Sequence, residues 1–233
     1  MNFNTDTINK YSYRETIEWS NFWYDNANDG RTERVLIMGD STARMVRRTL
    51  ANQIHLPVDL FATSSSLDDI LFVSQLNAFF CGAFGRYSTI FLQVGHHGRI
   101  GKDGGDYMDW DYEKFRSDLK ALILFLQQYS DNIVLETVFD SVKLKNRRQF
   151  LLCKYGFARE EFDDVINSVT RRKNEIIKQI AQSEDSGVTL LDINNIVNKE
   201  HFLRTDHIHF EPKATDFIVQ KMKMFLKIEQ NGL

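Results

Sequence analysis

Five short apolar runs alternate with longer stretches of helical periodicity, and this alternation leaves the chain few architectures. The runs are RVLIM (34–38), VDLFAT (58–63), STIFLQV (88–94), NIVLETV (132–138) and VTLLDI (188–193). STARMVRRTLANQ, SLDDILFVSQLNAFF, DYEKFRSDLKALILFLQQY and EEFDDVINSVTRRKNEIIKQIAQ fall between them. EPKATDFIVQKMKMFLKI closes the series as a helix with Pro212 in its first turn, where proline is tolerated. The pattern predicts a parallel sheet with helices on both faces, since each parallel crossover must carry the chain back across the sheet. Right-handed crossovers narrow the strand order further. Residues 1–30 stand apart: the aromatics of YRETIEWSNFWYDNAND recur at helical spacing, so an accessory helical segment is expected there, with residues 31–233 as a single α/β domain.

Composition removes several function classes. The chain of 233 residues is 42% hydrophobic and 26% charged, with a net charge of −3, which argues against an extended nucleic-acid or polybasic surface and leaves room only for a local patch. Two cysteines, Cys81 and Cys153, give neither a disulfide framework nor a CxxC pair. Cys81, set among Phe79, Phe80 and Phe84, is expected as a buried apolar residue. The first residues lack the apolar centre of a signal peptide, and no apolar run reaches the ~18–20 residues of a membrane span. A cytoplasmic location is therefore expected, with no nucleic-acid partner.

In sheets of this kind ligands sit at the carboxyl ends of the strands. The reactive residues fall there. Ser41 follows the first strand, Ser64, Ser65 and Ser66 the second, and Gly95, His96 and His97 the third. Asp206, His207 and His209 lie after the fifth, just before the last helix. A serine hydroxyl is a poor nucleophile unless a base takes its proton, and that base is usually a histidine oriented by a carboxylate. The D-x-x-H spacing of Asp206 and His209 lets one short turn present an imidazole and hold its other nitrogen. A serine at a strand–helix turn also has backbone N–H groups aimed at a developing oxyanion.

These blocks resemble the SGNH (GDSL-type) hydrolases. The signature blocks are Gly39-Asp40-Ser41 after the first strand and Asp206-His207-Ile208-His209 before the last helix, in matching order between Arg34 and Pro212. The resemblance implies a three-layer α/β/α sandwich of flavodoxin-like type with a five-stranded parallel sheet. It implies Ser41 as nucleophile, His209 as base, Asp206 as its partner and the Ser41 N–H as part of the oxyanion hole. Two blocks depart from the pattern. The glycine usual after the second strand is replaced within ATSSSLDD, where Ser65 or a neighbour would donate. The usual G-x-N-D becomes Gly95-His96-His97-Gly98, which puts His97 in the asparagine's place as donor, beside Gly95. Asp40, His96 and His207 are further candidates for substrate contact.

Other readings stay open. Ser41 could be only a helix cap. His96, His97, His207 and His209 could converge on zinc, although an adjacent pair rarely sends both rings to one point, so no metal is expected. GRIGKDGGD (98–106) fails the phosphate-loop spacing and suits a loop at the cleft mouth. KLKNRRQFLLCKYGFAR (143–159) is basic with interleaved aromatics. It is either a solvated helix face or a lid touching an anionic glycan or the phosphates of an acyl-CoA. The expected substrate is a small-molecule or glycan ester, with no cofactor for hydrolysis and acetyl-CoA as donor if the chain is an O-acyltransferase. A catalytically inactive glycan- or partner-binding protein is the third reading.

Overall fold

The computed structural model describes residues 18–28, 33–83, 85–97, 111–200 and 202–226. Its strands are β1 (Ser20–Trp23), β2 (Val35–Gly39), β3 (Val58–Thr63), β4 (Thr89–Leu92), β5 (Ile133–Glu136) and β6 (Val188–Leu191). They form one sheet in the order β1-β3-β2-β4-β5-β6. The last five are parallel and follow the flavodoxin-like order, and β1 is added antiparallel at the β3 edge. All five expected strands are present, and the sheet has one more than expected. The described helices are α1 (Ser41–Gln53), α2 (Ile70–Cys81), α3 (Tyr112–Leu126), α4 (Arg147–Lys154), α5 (Asp164–Gln182), α6 (Ile193–Lys199) and α7 (Pro212–Lys223).

Side-chain alternation along the strands builds the three layers. Leu36, Met38, Ile90, Leu92, Ile133 and Leu135 face the layer of α2, α3 and α5. Val35, Ile37, Leu60, Phe91 and Val134 face α1, α6 and α7. Both faces of the central strands are therefore apolar, as a doubly covered parallel sheet requires. Each fully buried Leu or Ile stabilises by about 1.5–3 kcal/mol, so these two layers outweigh any single polar contact. Asp40, Asp69, Asp111, Asn146 and Asp163 cap α1 to α5 by accepting first-turn N–H groups.

Where residues 18–28 were expected to be helical, the structure has β1 and a turn; residues 1–17 lie outside the described residues. The aromatics of this segment also satisfy a period of two. Phe22 stacks on Phe61 with centroids 5.4 Å apart, and Tyr24 on Phe79 at 5.0 Å, on one face. Trp23 on the other face lies under the Arg47 guanidinium. Pairing with the open β3 edge decides between the two periods, a tertiary effect that a local window does not contain. The segment is tied down at the amino end of the sheet, where Asp59 accepts the Asp25 N–H, the Nε–H and Nη2–H of the buried Arg34, and the Tyr87 hydroxyl.

Cys81 is exposed, not buried: it ends α2 on the outer side while Phe79 and Phe80 turn inward. The 98–106 loop and Phe84 lie outside the described residues.

Candidate active site

The turn between β2 and α1 passes so close to the end of β4 that only glycine fits. A Cβ on Gly39 would lie 2.5 Å from the Gln93 carbonyl oxygen and 2.9 Å from the Ala43 Cβ. Asp40 caps the helix: its Oδ1 accepts the Thr42 N–H at 2.8 Å and lies 2.8 Å from the Thr42 hydroxyl. That hydroxyl also meets Gln93 Oε1, while Gln93 Nε2 donates to the Thr137 carbonyl at 2.9 Å. One chain of hydrogen bonds thus joins the ends of β2, β4 and β5. Ser41 is the first residue of α1 and half-buried. Its N–H is among the helix-start donors with no intrahelical acceptor.

Asp206 and His209 form a close pair. Asp206 Oδ2 lies 2.7 Å from His209 Nδ1, and Oδ1 accepts the N–H groups of Ile208 and His209, each at 2.8 Å. A proton on Nδ1 shared with the carboxylate leaves Nε2 as the basic nitrogen. Partial burial works to raise the Asp206 pKa, but the two backbone N–H groups and the imidazole outweigh it and hold the carboxyl below its usual range. The turn is closed by the Thr205 N–H to the His209 carbonyl at 2.7 Å, and the Val142 N–H holds the His207 carbonyl at 2.8 Å. The His207 imidazole is half-exposed at the rim, 3.9 Å from Asp206.

His96 lies between the two halves. Its imidazole is within electrostatic reach of Asp40, His97, Lys173 and His209, and its ring stacks over Phe139. Burial first, opposed by the Asp40 carboxylate and helped by His97, Lys173 and His209, pushes its pKa down to about 4, so the ring is neutral at pH 7. His96 Nε2 and Asp40 Oδ2 are both buried without a hydrogen-bond partner among the described residues. Two such atoms at one site mark a place where a polar ligand group or water completes the bonding.

The serine loop differs from expectation. The Ser65 N–H donates to the Thr63 hydroxyl at 2.9 Å, and the Ser64 N–H to the Trp19 carbonyl at 3.0 Å. The hydroxyls of Ser64 and Ser65 both reach the Glu18 carboxylate. Ser65, expected as an oxyanion donor, therefore has its backbone donor engaged. The Ser66 N–H is one of the loop donors with no backbone acceptor among the described residues. Gly39, Asp40, Ser65, Gln93, Gly95 and His97 line one cavity of about 10 Å3, room for about one water or a group of methyl size. Gly95 has φ +126°, a conformation that favours glycine, and its carbonyl accepts from Lys173 Nζ at 2.5 Å.

Several of these groups carried a signal in the sequence that motif reading passed over. Lys173 interrupts the apolar stripe Val169, Ile176, Ile177, Ile180 of α5, and Gln93 follows directly on the apolar end of β4. Asn174 brackets the N–H and carbonyl of Val138, and Asn167 those of Ser141; neither stands in a recognisable block. Among the described residues no group of three or more His, Cys, Asp or Glu is placed to hold a metal ion.

Fold and site together define a flavodoxin-like α/β/α domain with a serine, an Asp–His pair and a small cavity at the carboxyl edge of its sheet. No protein-family profile matches the chain, and no curated protein sequence does. Solved structures do. Axe2, an acetylxylan esterase from Geobacillus stearothermophilus, superposes with a TM-score of 0.54 at 13% identity over 86% of this chain and 96% of its own. The acetyl xylan esterase AlAXEase gives 0.52 at 17% identity over 82% and 98%. The C-terminal catalytic domain of Streptococcus pneumoniae peptidoglycan O-acetyltransferase A gives 0.54 at 12% identity over 85% and 95%. The chain has the fold of these proteins, which is the fold implied by the SGNH resemblance.

Proposed function

We propose that the chain is a serine-dependent ester hydrolase of SGNH type that removes a small acyl group, acetyl in particular, from a carbohydrate. The carrying observation is the Asp206–His209 pair at 2.7 Å on a turn braced against the segment after β5. In this reading Ser41 Oγ attacks the ester carbonyl while His209 Nε2 takes its proton. Asp206 stabilises the imidazolium that forms. The N–H groups of Ser41 and Ser66 and the His97 imidazole hold the oxyanion. His209 returns the proton to the leaving sugar oxygen, and water resolves the acyl-enzyme by the same route. His96 Nε2 and Asp40 Oδ2 face the bound ester or its water. The acetyl and carbohydrate assignments draw on the two acetylxylan esterases of the same fold.

A second reading changes only the acceptor. The O-acetyltransferase domain shares the fold across most of both chains. A sugar hydroxyl in place of water, with acetyl-CoA as donor, would make the chain an O-acyltransferase. Product analysis with acetyl-CoA and a glycan separates the two.

The deciding experiment is intact-mass analysis after incubation with a fluorophosphonate. A single adduct on the wild type, lost in Ser41→Ala, is the expected result. No adduct on folded wild-type protein would overturn the assignment and leave a glycan- or partner-binding role.

A further inference from the structure

After β5 the chain leaves the domain as an arm. Val142 and Phe162 pair at its base, and the Lys143 N–H donates to the Glu161 carbonyl at 2.8 Å. The arm carries α4, no residue of which is buried. Leu144, Tyr155 and Phe157 are 76%, 66% and 80% exposed, and Leu151 and Leu152 are also exposed. A lone exposed leucine is ordinary, but five large apolar side chains on one arm are not. Leu151, Leu152, Tyr155 and Phe157 line an open groove together with Arg147 and Arg148.

The arm's acids are already engaged. Glu160 binds Lys145 and Arg204, Glu161 binds Lys143, Asp163 caps α5 and Asp164 meets Arg171. Arg147, Arg148, Lys154 and Arg159 have no ion pair among the described residues. The arm thus carries an apolar groove lined by Arg147 and Arg148, with Lys154 and Arg159 as further cations on the same arm, whereas the whole chain is net negative.

This combination selects the occupant. A second copy joined through a two-fold axis would set the same cations against each other. A helix of eight residues is also only about 12 Å long, short of the roughly 800 Å2 per partner of a stable interface. A soluble polyanion would satisfy the arginines but leave Leu144 and Leu151 in water. An anionic bilayer surface offers headgroup charge and, just beneath it, an apolar phase. We propose that the 143–161 arm is an interfacial anchor that docks the carboxyl edge of the sheet on an anionic lipid surface. Such an anchor lies on the membrane and does not span it, in keeping with the absence of any described helix long and apolar enough to cross one. Lys145 Nζ lies 3.4 Å from the Asp206 carbonyl, so docking brings the Asp206–His209 turn close to the lipid.

The test is co-sedimentation of the full chain with phosphatidylcholine vesicles and with mixed phosphatidylglycerol–phosphatidylcholine vesicles. Leu144→Ser/Phe157→Ser and Arg147→Gln/Arg148→Gln/Lys154→Gln are run alongside, with circular dichroism to show that both still fold. The wild type should pellet with the mixed vesicles, less so at high salt, and each variant should bind about tenfold more weakly or worse. Failure to pellet with mixed vesicles would overturn the proposal. So would equal binding to pure phosphatidylcholine, full binding by folded variants, or a concentration-dependent dimer that the variants abolish. The readout does not involve Ser41, so it stands or falls separately from the hydrolase reading.

Discussion

Lys173 Nζ crosses from α5 to donate to the Gly95 carbonyl at 2.5 Å, holding the turn from which His96 and His97 project. The side chain is buried, and its Cδ borders Gly95 together with Val138 and Phe115. Burial pushes the amine down to about 7, with Asp68 pulling the other way. Lys173→Met removes the donor while keeping most of the stem. It should lower kcat on p-nitrophenyl acetate by roughly tenfold with the fold intact, since the loss of one buried hydrogen bond costs about 1–3 kcal/mol. It should also change the pH dependence of stability. A lysine whose folded pKa lies below its ordinary 10.5 makes folding more favourable as pH rises from about 7 toward that value. Urea titrations across this range should show that slope in the wild type and lose it in Lys173→Met. An unchanged slope would remove Lys173 from the account.

His97 lines the cavities on both sides of the serine loop and stands in the place where the resemblance expects an asparagine. If its ring N–H serves the oxyanion, Asn can take over and Ala cannot. His97→Ala should cost about 10²–10³-fold in kcat, the usual loss for one oxyanion donor, while His97→Asn stays within about tenfold of wild type. Equal losses in the two variants would mean that the imidazole does something an amide cannot.

The alternation of apolar runs was enough to place β2 to β6, because a doubly covered parallel sheet writes both of its faces into each strand. The Gly39–Ser41 and Asp206–His209 blocks were legible for a related reason: both lie in short turns whose local spacing fixes their geometry. What escaped was non-local. β1 is a strand because the β3 edge is open beside it, and nothing within residues 20–23 encodes that edge. Ser65 is the donor the sequence pointed to, but Thr63, two residues earlier, captures its N–H. α6 was missed because Asp192 and Ile193 read as the continuation of a strand.

Gly39→Ala tests how tightly the nucleophile turn is wedged. The new methyl would meet a backbone oxygen at 2.5 Å and the Ala43 Cβ at 2.9 Å, neither at the end of a flexible side chain. Overpacking of this kind costs about 1–3 kcal/mol and would displace Ser41 with the turn. Both a lowered urea midpoint and a loss of fluorophosphonate labelling are expected. Wild-type stability would show that the turn gives way more easily than its contacts imply.

Asp206→Asn keeps the shape of the side chain but inverts its role toward His209. The carboxylate accepts from Nδ1; an amide nitrogen there favours the tautomer that puts the proton on Nε2, where the base is needed. The expected loss in kcat is about 10⁴-fold at neutral pH. Steady-state kinetics beside circular dichroism would check it, and a loss of less than about tenfold would take Asp206 out of the mechanism.

Glu136 lies at the carboxyl end of β5 on the same face as Val134, and its Oε1 is buried with no hydrogen-bond partner among the described residues. Burial pushes its pKa up to about 8, so the carboxyl is protonated in the folded protein at pH 7. An acid whose folded pKa exceeds its ordinary 4.5 lends stability that is fully present below 4.5 and lost as pH rises through about 8. The unfolded chain sheds this proton early, the folded chain late. Wild-type stability should therefore fall between those values by up to about 1.4 kcal/mol per pH unit from this group alone. Glu136→Gln keeps the volume, removes the ionisation and should flatten that decline. Urea titrations of both proteins at several pH values from mildly acid to mildly alkaline would resolve it. Parallel curves for the two would mean that Glu136 titrates as an ordinary carboxylate.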